Sequence, residues 1–379
     1  MRVVFLTTFL TRYRIPFHEG VRGRLAAAGI QYDLIYGQPS ERDAVKGDYG
    51  NIVWGKQIVN RYLHIGRSTL VWQPALRDIW NSDLAVVGQE NRLLVNYVAQ
   101  SLRGFRRSKL ALWGHGRNFQ AESGAALAER WKRFWLTRCD WWFGYTEQTR
   151  KIVESCGFPR ERITVLHNAV DTSEISRLSD QIDDAKLAEL RQKLGIGSGP
   201  VAVYLGGIYE YKRIDFLLAA ALEVRRRIPD FVLVVVGSGT HRHLVEAAAS
   251  NHPWIRYLGP RFGREKVEIL RLGRVFVMPG LVGLAILDCA AAGLPMVTTA
   301  YPYHSPEIAY LQQNRNGLIV DEWRDPLAYA DAVVSVLRDD RMQARLAGGA
   351  KEVGKRYTIE RMAQCFSEGA IAALRASKR

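Results

Sequence analysis

Short, nearly continuous apolar runs that alternate with stretches of helical spacing constrain the fold of this chain more than any other feature. In the C-terminal half such runs lie at Val201–Leu205, Phe231–Val236, Ile255–Leu258, Val275–Met278 and Met296–Thr298. Uninterrupted apolar runs of this length suit strands that are buried on both faces of a parallel sheet. Similar runs in the N-terminal half lie at Val3–Leu6, Tyr32–Tyr36, Leu84–Val87, Leu110–Trp113 and Trp142–Tyr145. The alternation therefore predicts an α/β protein with two doubly wound halves.

A polar segment that ends in glycines separates the two halves. Asp171–Pro200 contains the acidic pair Asp183-Asp184 and then three glycines just before the next apolar run. A chain of 379 residues has room for two domains of about 100–200 residues each. We therefore predict an N-terminal domain over residues 1–172 and a C-terminal domain over residues 173–356. The last helical pattern, Ile359–Ala373, has one apolar face that fits either domain, so segment 357–379 can pack back on the first.

Cysteine spacing and hydropathy exclude several classes of protein. The four cysteines form no CxxC pair and no metal-ligand spacing, so a disulfide scaffold or a structural zinc site has no support. The longest apolar stretch, Val275–Leu287, is shorter than the ~18 residues needed to span a bilayer. The first residues lack the basic-then-apolar order of a signal peptide. We therefore expect a cytoplasmic protein.

The net charge of +15 is concentrated in the N-terminal half. Residues 1–170 hold 25 Lys and Arg against 14 Asp and Glu, whereas the remaining residues hold 28 against 24. A field of this sign attracts polyanions, which include nucleic acid, phosphate-bearing substrates and anionic membrane surfaces. Charge alone does not choose among these partners.

Glycines follow one of the predicted strands, at the point where a parallel sheet binds ligands through backbone amides. Gly206 and Gly207 follow Val201–Leu205 and lead into Lys212 and Arg213. The two glycines let a ligand approach the backbone, and the two cations can neutralise a diphosphate. The alternative is that both cations are the solvated start of a helix.

A second glycine pair, Gly237 and Gly239, follows Phe231–Val236. Arg242 stands where a dinucleotide fingerprint has its third glycine, which disfavours a nicotinamide site. The pair is either a phosphate-facing turn or a turn that requires a positive φ.

A single carboxylate lies in the apolar run that follows Pro279–Gly283. Asp288 is the only charged residue between this loop and Pro295. An unpaired buried carboxylate costs several kcal/mol, so Asp288 contacts either a polar ligand or a buried partner group.

Taken in order, these motifs resemble a known family. They are Val165–Asp171, Gly206–Lys212, Val236–Gly239 and Gly283–Pro295. The same order is found in the retaining GT-B glycosyltransferases of group 1, which include bacterial mannosyl- and polysaccharide-building transferases. The resemblance covers essentially the whole chain, with a looser match in the N-terminal half. It implies two Rossmann-like domains that face a cleft, with a nucleotide sugar on the C-terminal domain and an acceptor on the N-terminal domain.

The resemblance assigns donor-binding roles residue by residue. It implies that Lys212 stabilises the donor diphosphate and that Asp288, at the second position of the family's E-x7-E motif, binds the ribose hydroxyls. The backbone amides of Gly283, Leu284 and Ala285 are implied to meet the phosphates or the sugar. The implied donor-binding set also contains Gly206, Gly207, Arg213, Gly237 and Gly239.

The chain departs from the family pattern at two donor-binding positions. Gly207 stands where the family has a donor-binding arginine, and Gly280 stands where it has the first glutamate of E-x7-E. Loss of the arginine removes a charge-assisted contact with the donor. A second cation must then assist Lys212 in neutralising the diphosphate, and Arg213 is the candidate. The departures predict a variant donor pocket or, as the alternative, a catalytically impaired nucleotide-binding subunit.

A histidine follows a strand of the N-terminal half with a glycine on each side, in the motif Leu112–Asn118. The resemblance implies that this residue, His115, contacts the transferred sugar near the reacting centre, so that His115 and Lys212 are the predicted catalytic residues. A structural histidine is the alternative.

The first loop, Thr7–Arg14, lacks the paired glycines that relatives have there, so acceptor recognition must differ. We predict that Thr8, Arg12 and Arg14, together with His115, bind the acceptor. The two arginines can hold a phosphate or an acidic sugar. The alternative is a basic loop without a partner.

Two stretches mix cations with aromatic residues, namely Leu102–Lys109 and Trp131–Trp142. Such mixtures suit the membrane interface, where aromatic rings lie at headgroup depth and cations meet anionic lipid. Nucleic-acid binding uses the same residue types but is not expected here, and an amphipathic helix with core aromatics is the plain alternative. The peripheral-membrane interpretation gains from the net charge and from the resemblance.

The sequence, together with the resemblance, predicts a metal-independent glycosyltransferase without a cofactor, and the resemblance implies that it retains the configuration of the sugar. It is expected to move a sugar from a nucleoside diphosphate to a glycan, carried on polyprenyl diphosphate at the inner face of the membrane, in cell-surface polysaccharide synthesis. The chain has no Asp-x-Asp motif, which agrees with charge neutralisation by Lys212 and backbone amides. A GT-B sugar-nucleotide epimerase or hydrolase is a further alternative.

Overall fold

The computed structural model of the chain describes residues 1–44, 48–66, 68–105, 107–116 and 134–379. These residues form two compact units. Unit 1 contains Met1–Asp171 and Ile359–Arg379, and unit 2 contains Thr172–Thr358. The division falls after Asp171, and the C-terminal segment joins unit 1.

Unit 1 is built on a seven-stranded parallel sheet in the order β3-β2-β1-β6-β7-β8-β9. Its strands are β1 (Arg2–Phe9), β2 (Gln31–Gly37), β3 (Lys56–Gln57), β6 (Leu84–Gly88), β7 (Lys109–Gly114), β8 (Trp141–Gly144) and β9 (Ile163–Val165). A separate antiparallel hairpin is formed by β4 (Arg61–Ile65) and β5 (Ser68–Trp72). The buried parts of the central strands, Val3–Leu6, Leu84–Val87 and Leu110–Trp113, are apolar because both of their faces are covered.

The helices of unit 1 lie between its strands along the chain, except for the last one, which comes from the C-terminal segment. They are α1 (Ile15–Ala27), α2 (Glu41–Ala44), α3 (Leu76–Trp80), α4 (Leu94–Ser101), α5 (Glu147–Ser155) and, from the chain's end, α14 (Ile359–Arg375). Helix α5 begins at a capping box in which Thr146 and Thr149 satisfy each other's backbone amides.

The C-terminal helix α14 packs on α1 and on the sheet of unit 1. Phe366, which is fully buried, lies with its ring 4.6 Å from that of Phe143 and 5.5 Å from that of Phe17. A Cβ on Gly20 would lie 3.1 Å from the Cβ of Ala363, so glycine allows the two helices to approach closely. The helix is therefore an integral part of the core of unit 1.

Unit 2 is built on a six-stranded parallel sheet in the order β12-β11-β10-β13-β14-β15. Its strands are β10 (Val201–Leu205), β11 (Val232–Val236), β12 (Ile255–Gly259), β13 (Val275–Val277), β14 (Met296–Thr299) and β15 (Gly317–Val320). The order reverses direction at β10, which is the type of switch point where open α/β sheets bind ligands.

The helices of unit 2 cover both faces of this sheet. They are α6 (Ser173–Gln181), α7 (Asp184–Lys193), α8 (Ile214–Arg227), α9 (Arg242–Asn251), α10 (Gly263–Leu272), α11 (Ala285–Ala291), α12 (Pro326–Arg338) and α13 (Asp340–Arg356). The side chains of Asp183, Asp325 and Asp339 accept hydrogen bonds from first-turn amides and so define where α7, α12 and α13 begin.

All ten predicted strands are present, which confirms the predicted fold class of two doubly wound α/β halves. The structure adds β3, the β4–β5 hairpin, β9 and β15, which were not predicted. No helix among the described residues is long and apolar enough to cross a membrane.

Candidate functional site

The loop over residues 278–284 leaves β13 at the carboxyl edge of the sheet of unit 2 and is held rigidly by β14. The hydroxyl of Thr298 donates to the carbonyl of Met278, and the hydroxyl of Thr299 donates to the carbonyl of Pro279, both at 2.7 Å. Both threonines are fully buried. The start of this 278–284 loop is therefore fixed by side chains of the neighbouring strand.

Lys212 approaches the same loop from the segment that follows β10. Its Nζ donates to the carbonyl of Leu281 at 2.5 Å, and the amide of Leu281 donates to the carbonyl of Tyr211 at 2.8 Å. Only 5% of the Lys212 residue is exposed, and burial lowers the pKa of its ammonium group from 10.5 to about 8. Within the described part of the chain no carboxylate pairs with this cation.

Three consecutive backbone amides follow this loop at the start of α11. Within the described ranges the amides of Gly283, Leu284 and Ala285 donate to no protein acceptor, whereas those of Ile286 and Leu287 bond back to Gly283 and Leu284. A Cβ on Gly283 would meet only the hydroxyl of Ser305, at 3.8 Å, so the space beside it is open. One buried ammonium and three unbonded amides thus adjoin a single loop, an arrangement suited to oxyanions.

Gly280 lies against the backbone of the segment that carries Lys212. A Cβ at Gly280 would lie 2.3 Å from the carbonyl oxygen of Tyr211 and 2.7 Å from the Cα of Lys212. No side chain fits there without displacement of the backbone. Because the two loops pack this closely, position 280 cannot carry the glutamate that stands first in the family's E-x7-E motif.

The glycine pair after β11 serves the packing of two loops. A Cβ on Gly237, whose φ is +138°, would lie within 1.8 Å of the carbonyl oxygen of Gly206, and one on Gly239 would lie 2.2 Å from that of Ile208. The amide of Ile208 also donates to the carbonyl of Ser238 at 2.9 Å. The close approach of two backbones requires both glycines, and Gly237 also has the positive φ that was one of the two alternatives; donor binding by this pair stays a prediction.

Tyr209 fills the space beside Gly207, where the family has an arginine. Its ring would lie 2.7 Å from a Cβ at position 207, and the ring centroid is 5.7 Å from Nζ of Lys212. Sequence reasoning missed this residue, because an aromatic side chain two positions after a glycine has no distinctive signal. The face of the Tyr209 ring attracts the ammonium group of Lys212, but it supplies no positive charge in place of the missing arginine.

Arg213 is occupied by structural contacts. It adopts a left-handed conformation at φ 55° before α8, and its Nη1 donates to the carbonyl of Trp323 at 2.5 Å. The guanidinium carbon also lies 4.1 Å from the ring centroid of Phe216. These contacts join α8 to the loop before α12; a role of Arg213 beside Lys212 stays a prediction that none of them supports.

Asp288 lies on α11 and has a cationic partner that was not predicted. Its carboxylate forms an ion pair with Nζ of Lys266, on α10, at 2.9 Å. The carboxylate therefore has a partner, although both groups are partly exposed and the partner is an ammonium group, not a backbone amide. A role of Asp288 at the ribose stays a prediction, and Lys266 would then lie beside the same hydroxyls.

In unit 1, Thr8 belongs to a polar network at the carboxyl ends of β1 and β6. Its hydroxyl donates to the Glu90 carboxylate at 3.3 Å, and that carboxylate pairs with Arg92 at 2.7 Å. The carbonyl of Thr8 accepts from the buried side-chain amide of Asn60 at 2.7 Å. Thr8 is itself buried, so it supports the loop more than it presents a hydroxyl.

Arg12 is exposed and borders a cavity of about 520 Å³ beside the ends of β1 and β2. Its Nε donates to the carbonyl of Tyr49 at 3.0 Å, and no ion pair of the described residues involves it. The other lining residues are mostly aromatic, amide-bearing or small, including Phe9, Tyr36, Gln38, Asn51 and Gln57. The cavity can accept a saccharide, and Arg12 can meet an anionic group on it.

Arg14 lies inside unit 1, where 8% of the residue is exposed. Its guanidinium donates to the side chain of Asn168 at 2.5 Å and to the carbonyl of Ala169 at 3.1 Å, and it contacts the sulfur of Met362 on α14. These contacts occupy the guanidinium inside unit 1, and acceptor binding by Arg14 stays a prediction that they do not support. The guanidinium joins the first loop to the motif Val165–Asp171 and to the C-terminal helix.

His115 directly follows β7 in unit 1, and its ring lies 4.4 Å from that of Tyr145. Gly116 adopts φ +78°, and a Cβ there would lie 3.3 Å from Ile152 on α5, so a glycine is required. The rest of the motif, from Arg117 to Asn118, lies outside the described residues. The catalytic role of His115 stays a prediction.

The basic and aromatic stretches are partly described. Phe105 is 83% exposed, and Phe134 is 45% exposed beneath the guanidinium of Arg138, 4.1 Å from its ring. Arg103 donates to the carbonyl of Cys139 at 2.8 Å. The cations predicted at Arg106, Lys132 and Arg133, with Trp131, lie outside the described residues. No cluster of three or more metal-ligating side chains occurs in the ranges that the structure describes.

Comparison with known families gives two matches, one to each half of the chain. The family model described as "Glycosyl transferases group 1" matches residues 199–339, and that described as "Glycosyltransferase Family 4" matches residues 21–174. Together these segments span most of the chain. They include β10 to β15 of unit 2 and most of the sheet of unit 1.

Curated relatives match over about half of the chain and about half of their own length. An alpha-D-kanosaminyltransferase of Streptomyces kanamyceticus is 29% identical over 191 residues, 45% of this chain and 46% of the relative. A GDP-mannose-dependent alpha-(1-6)-phosphatidylinositol monomannoside mannosyltransferase of Mycobacterium tuberculosis is 29% identical over 231 residues, 57% of each chain.

Solved structures of low sequence identity share the fold over nearly the whole chain. HepE of Anabaena, determined in complex with UDP, has a TM-score of 0.72 at 12% identity and covers 98% of this chain and 100% of its own. The two parallel sheets described above are the two Rossmann-like halves of such enzymes. The chain therefore belongs to the group 1 glycosyltransferases and has their GT-B architecture.

Proposed function

We propose that this protein moves a sugar from a nucleoside diphosphate sugar to a hydroxyl group of a glycan acceptor. The observation that carries the proposal is the buried ammonium of Lys212, which is bonded to the same loop that ends in three unbonded amides. A buried cation without a carboxylate partner is costly, and a bound diphosphate would supply the missing counter-charge. HepE binds UDP, and the mycobacterial relative uses GDP-mannose, which supports the same donor class.

The same groups support a mechanism that needs no divalent cation. The ammonium of Lys212 and the amides of Gly283, Leu284 and Ala285 would stabilise the diphosphate as it leaves the sugar. An oxygen of the departing diphosphate would accept the proton of the attacking hydroxyl, on the same face of the sugar, which retains the configuration. His115 would orient the transferred sugar. Retention rests on the family resemblance of the quoted motifs.

A donor screen followed by product analysis tests this proposal. Thermal shift across nucleoside diphosphates and their sugars identifies the donor, because ligand at 100 times its Kd stabilises a protein by about 2.7 kcal/mol. Chromatography of the best donor, with and without glycan acceptors, then identifies the reaction. Transfer to the acceptor supports the proposal. Conversion of donor alone would indicate an epimerase or hydrolase, and binding without turnover under every condition would indicate an impaired subunit.

The affinity for a nucleoside diphosphate is expected to fall as the pH rises above about 8. Burial lowers the pKa of Lys212 to about 8 in the empty protein, and a bound diphosphate favours the charged ammonium. Binding above this pH therefore requires uptake of a proton, and the Kd should rise about tenfold per pH unit. Isothermal titration with UDP and with GDP at pH values above and below 8 measures this change in Kd. The Lys212→Met variant should show no such slope, and a flat wild-type profile would contradict the assignment.

The acceptor is proposed to be a lipid-linked glycan bound at the cavity beside Arg12. The cavity of about 520 Å³ has aromatic and amide groups suited to sugar rings, and Arg12 is the charged residue of its lining. A diphosphate or acidic sugar would satisfy that charge. The proposed role of such a lipid-linked acceptor is in cell-surface polysaccharide synthesis at the inner face of the membrane.

We also propose that unit 1 docks on an anionic membrane through the stretch around Phe105. This ring is exposed, and Arg103 and Arg107 flank it. An exposed aromatic ring between cations suits the headgroup region.

The variant Phe105→Ser is expected to weaken binding to vesicles that contain anionic lipid by about fivefold to tenfold, because an exposed ring buries apolar area on docking. Val53→Ser, which removes an exposed apolar residue from another part of unit 1, is the control and should bind as wild type does. Sedimentation with vesicles at low and high salt measures both. Equal binding of wild type and Phe105→Ser, or strong binding to neutral vesicles in high salt, would contradict the proposed surface.

A further inference from the structure

His304 is a buried histidine whose two ring nitrogens are both hydrogen-bonded to the backbone of unit 2. The amide of Val282 donates to Nδ1 at 2.9 Å, and Nε2 lies 2.8 Å from the carbonyl oxygen of Thr299. A carbonyl oxygen only accepts, so Nε2 carries the hydrogen and Nδ1 carries the lone pair. The two partners thus define a single neutral tautomer.

The histidine joins the end of β14 to the 278–284 loop. The amide of the next residue, Ser305, donates to the carbonyl of Val282 at 3.1 Å, so both backbone groups of Val282 are held by consecutive residues. Val282 directly precedes Gly283, the first of the three unbonded amides. The His304 bond holds the Leu281–Val282 peptide, whose carbonyl accepts from Nζ of Lys212, whereas the Ser305 bond holds the Val282–Gly283 peptide, which carries the Gly283 amide.

The surroundings of His304 keep its ring neutral. Only 8% of the residue is exposed, and burial together with the nearby positive charge of Lys212 lowers the pKa of the imidazole to about 4. The ring of Tyr301 packs edge-on at 5.9 Å. A neutral ring is what the Val282 bond needs, because a protonated Nδ1 cannot accept a hydrogen bond.

We propose that His304 is a positioning residue for donor binding, which holds the Leu281–Val282 peptide so that its carbonyl keeps the Lys212 ammonium in place to meet the donor diphosphate. This inference rests on the proposed function, because it concerns the same site. It assigns the role to one atom, Nδ1, and to one partner, the amide of Val282. Sequence patterns do not reveal this role, since His304 lies outside every motif quoted above.

Two variants each keep one of the two hydrogen bonds that the His304 ring makes. In His304→Asn the amide oxygen lies near the position of Nδ1 and can still accept from Val282. In His304→Gln the amide nitrogen lies near the position of Nε2 and can still donate to Thr299, but the Val282 bond is lost. We expect Gln to raise the Kd for UDP or GDP about tenfold and Asn to change it less than about threefold.

Isothermal titration with UDP and with GDP measures these affinities, and thermal melting reports the stability of each variant. Hydrogen exchange of the Val282 amide in the absence of nucleotide gives a readout that is independent of the ligand. Exchange should become faster in His304→Gln than in His304→Asn. Equal exchange and equal Kd values for the two variants, with normal wild-type binding, would overturn this inference alone. Binding of no nucleoside diphosphate of the screen by the wild type would overturn both this inference and the proposed function.

Discussion

Replacement of Lys212 by alanine is expected to lower the turnover number for sugar transfer by about 100- to 1,000-fold, which is the usual effect of removing one preorganised charge donor from a transition state. The ammonium is already bonded to Leu281 on the loop that ends in the unbonded amides, so little reorganisation is needed when charge develops on the leaving diphosphate. Burial without a counter-charge makes the group more effective once a diphosphate is bound. Steady-state kinetics with the donor and acceptor identified by the screen measures the effect.

The Lys212→Ala variant should lose activity without losing thermal stability. A buried ammonium without a carboxylate partner destabilises the empty protein, so its removal should leave the melting temperature unchanged or raise it. Arg213→Ala is the neighbouring control. It removes the bonds to Trp323 and the contact with Phe216, and should lower the melting temperature while most of the turnover remains. Turnover of Lys212→Ala within threefold of wild type would refute the assigned role.

The architecture could be predicted because buried parallel strands leave a local signal. Val201–Leu205 is apolar at every position and was predicted with the bounds that the structure shows. The β4–β5 hairpin was missed because β4 is largely exposed and pairs away from the two main sheets, so no apolar run marks it. Strand β9 is short and only partly buried, and leaves an equally weak signal.

The site could be predicted only where its chemistry is local. Lys212 and the amides of Gly283, Leu284 and Ala285 lie in the loops that follow β10 and β13, so their positions along the chain indicated this edge of the sheet, and their donor-binding role stays a prediction. The contacts of Arg14 could not be predicted, because one of them is with Met362, 348 residues away. The partner of Asp288 lies 22 residues away on another helix, and the backbone that excludes a side chain at Gly280 comes from the loop after β10. Such contacts depend on packing between elements, which no local spacing encodes.

Gly280→Ala is expected to show the largest loss of stability among single substitutions in this loop. A Cβ there would lie 2.3 Å from the carbonyl oxygen of Tyr211 and 2.5 Å from the carbonyl carbon of Lys212. Both neighbours are backbone atoms, so relief requires the two loops to separate. The cost should be about 3 kcal/mol or more, which lowers the melting temperature by roughly 6–12 °C for a unit of this size.

The substitution should also weaken nucleotide binding, since the separation that accommodates a Cβ moves Lys212 away from Leu281. Reinstating the family residue as Gly280→Glu should therefore impair donor binding at least as much as alanine does. Gly283→Ala, in the same loop, is the matched control for stability: its Cβ would meet only Ser305 at 3.8 Å, so the melting temperature should change little. Calorimetry measures the melting temperatures of the three variants. If Gly280→Glu melts as wild type does and binds UDP or GDP more tightly, the two loops do not pack as described, and the donor pocket is an ordinary family pocket that has lost one side chain.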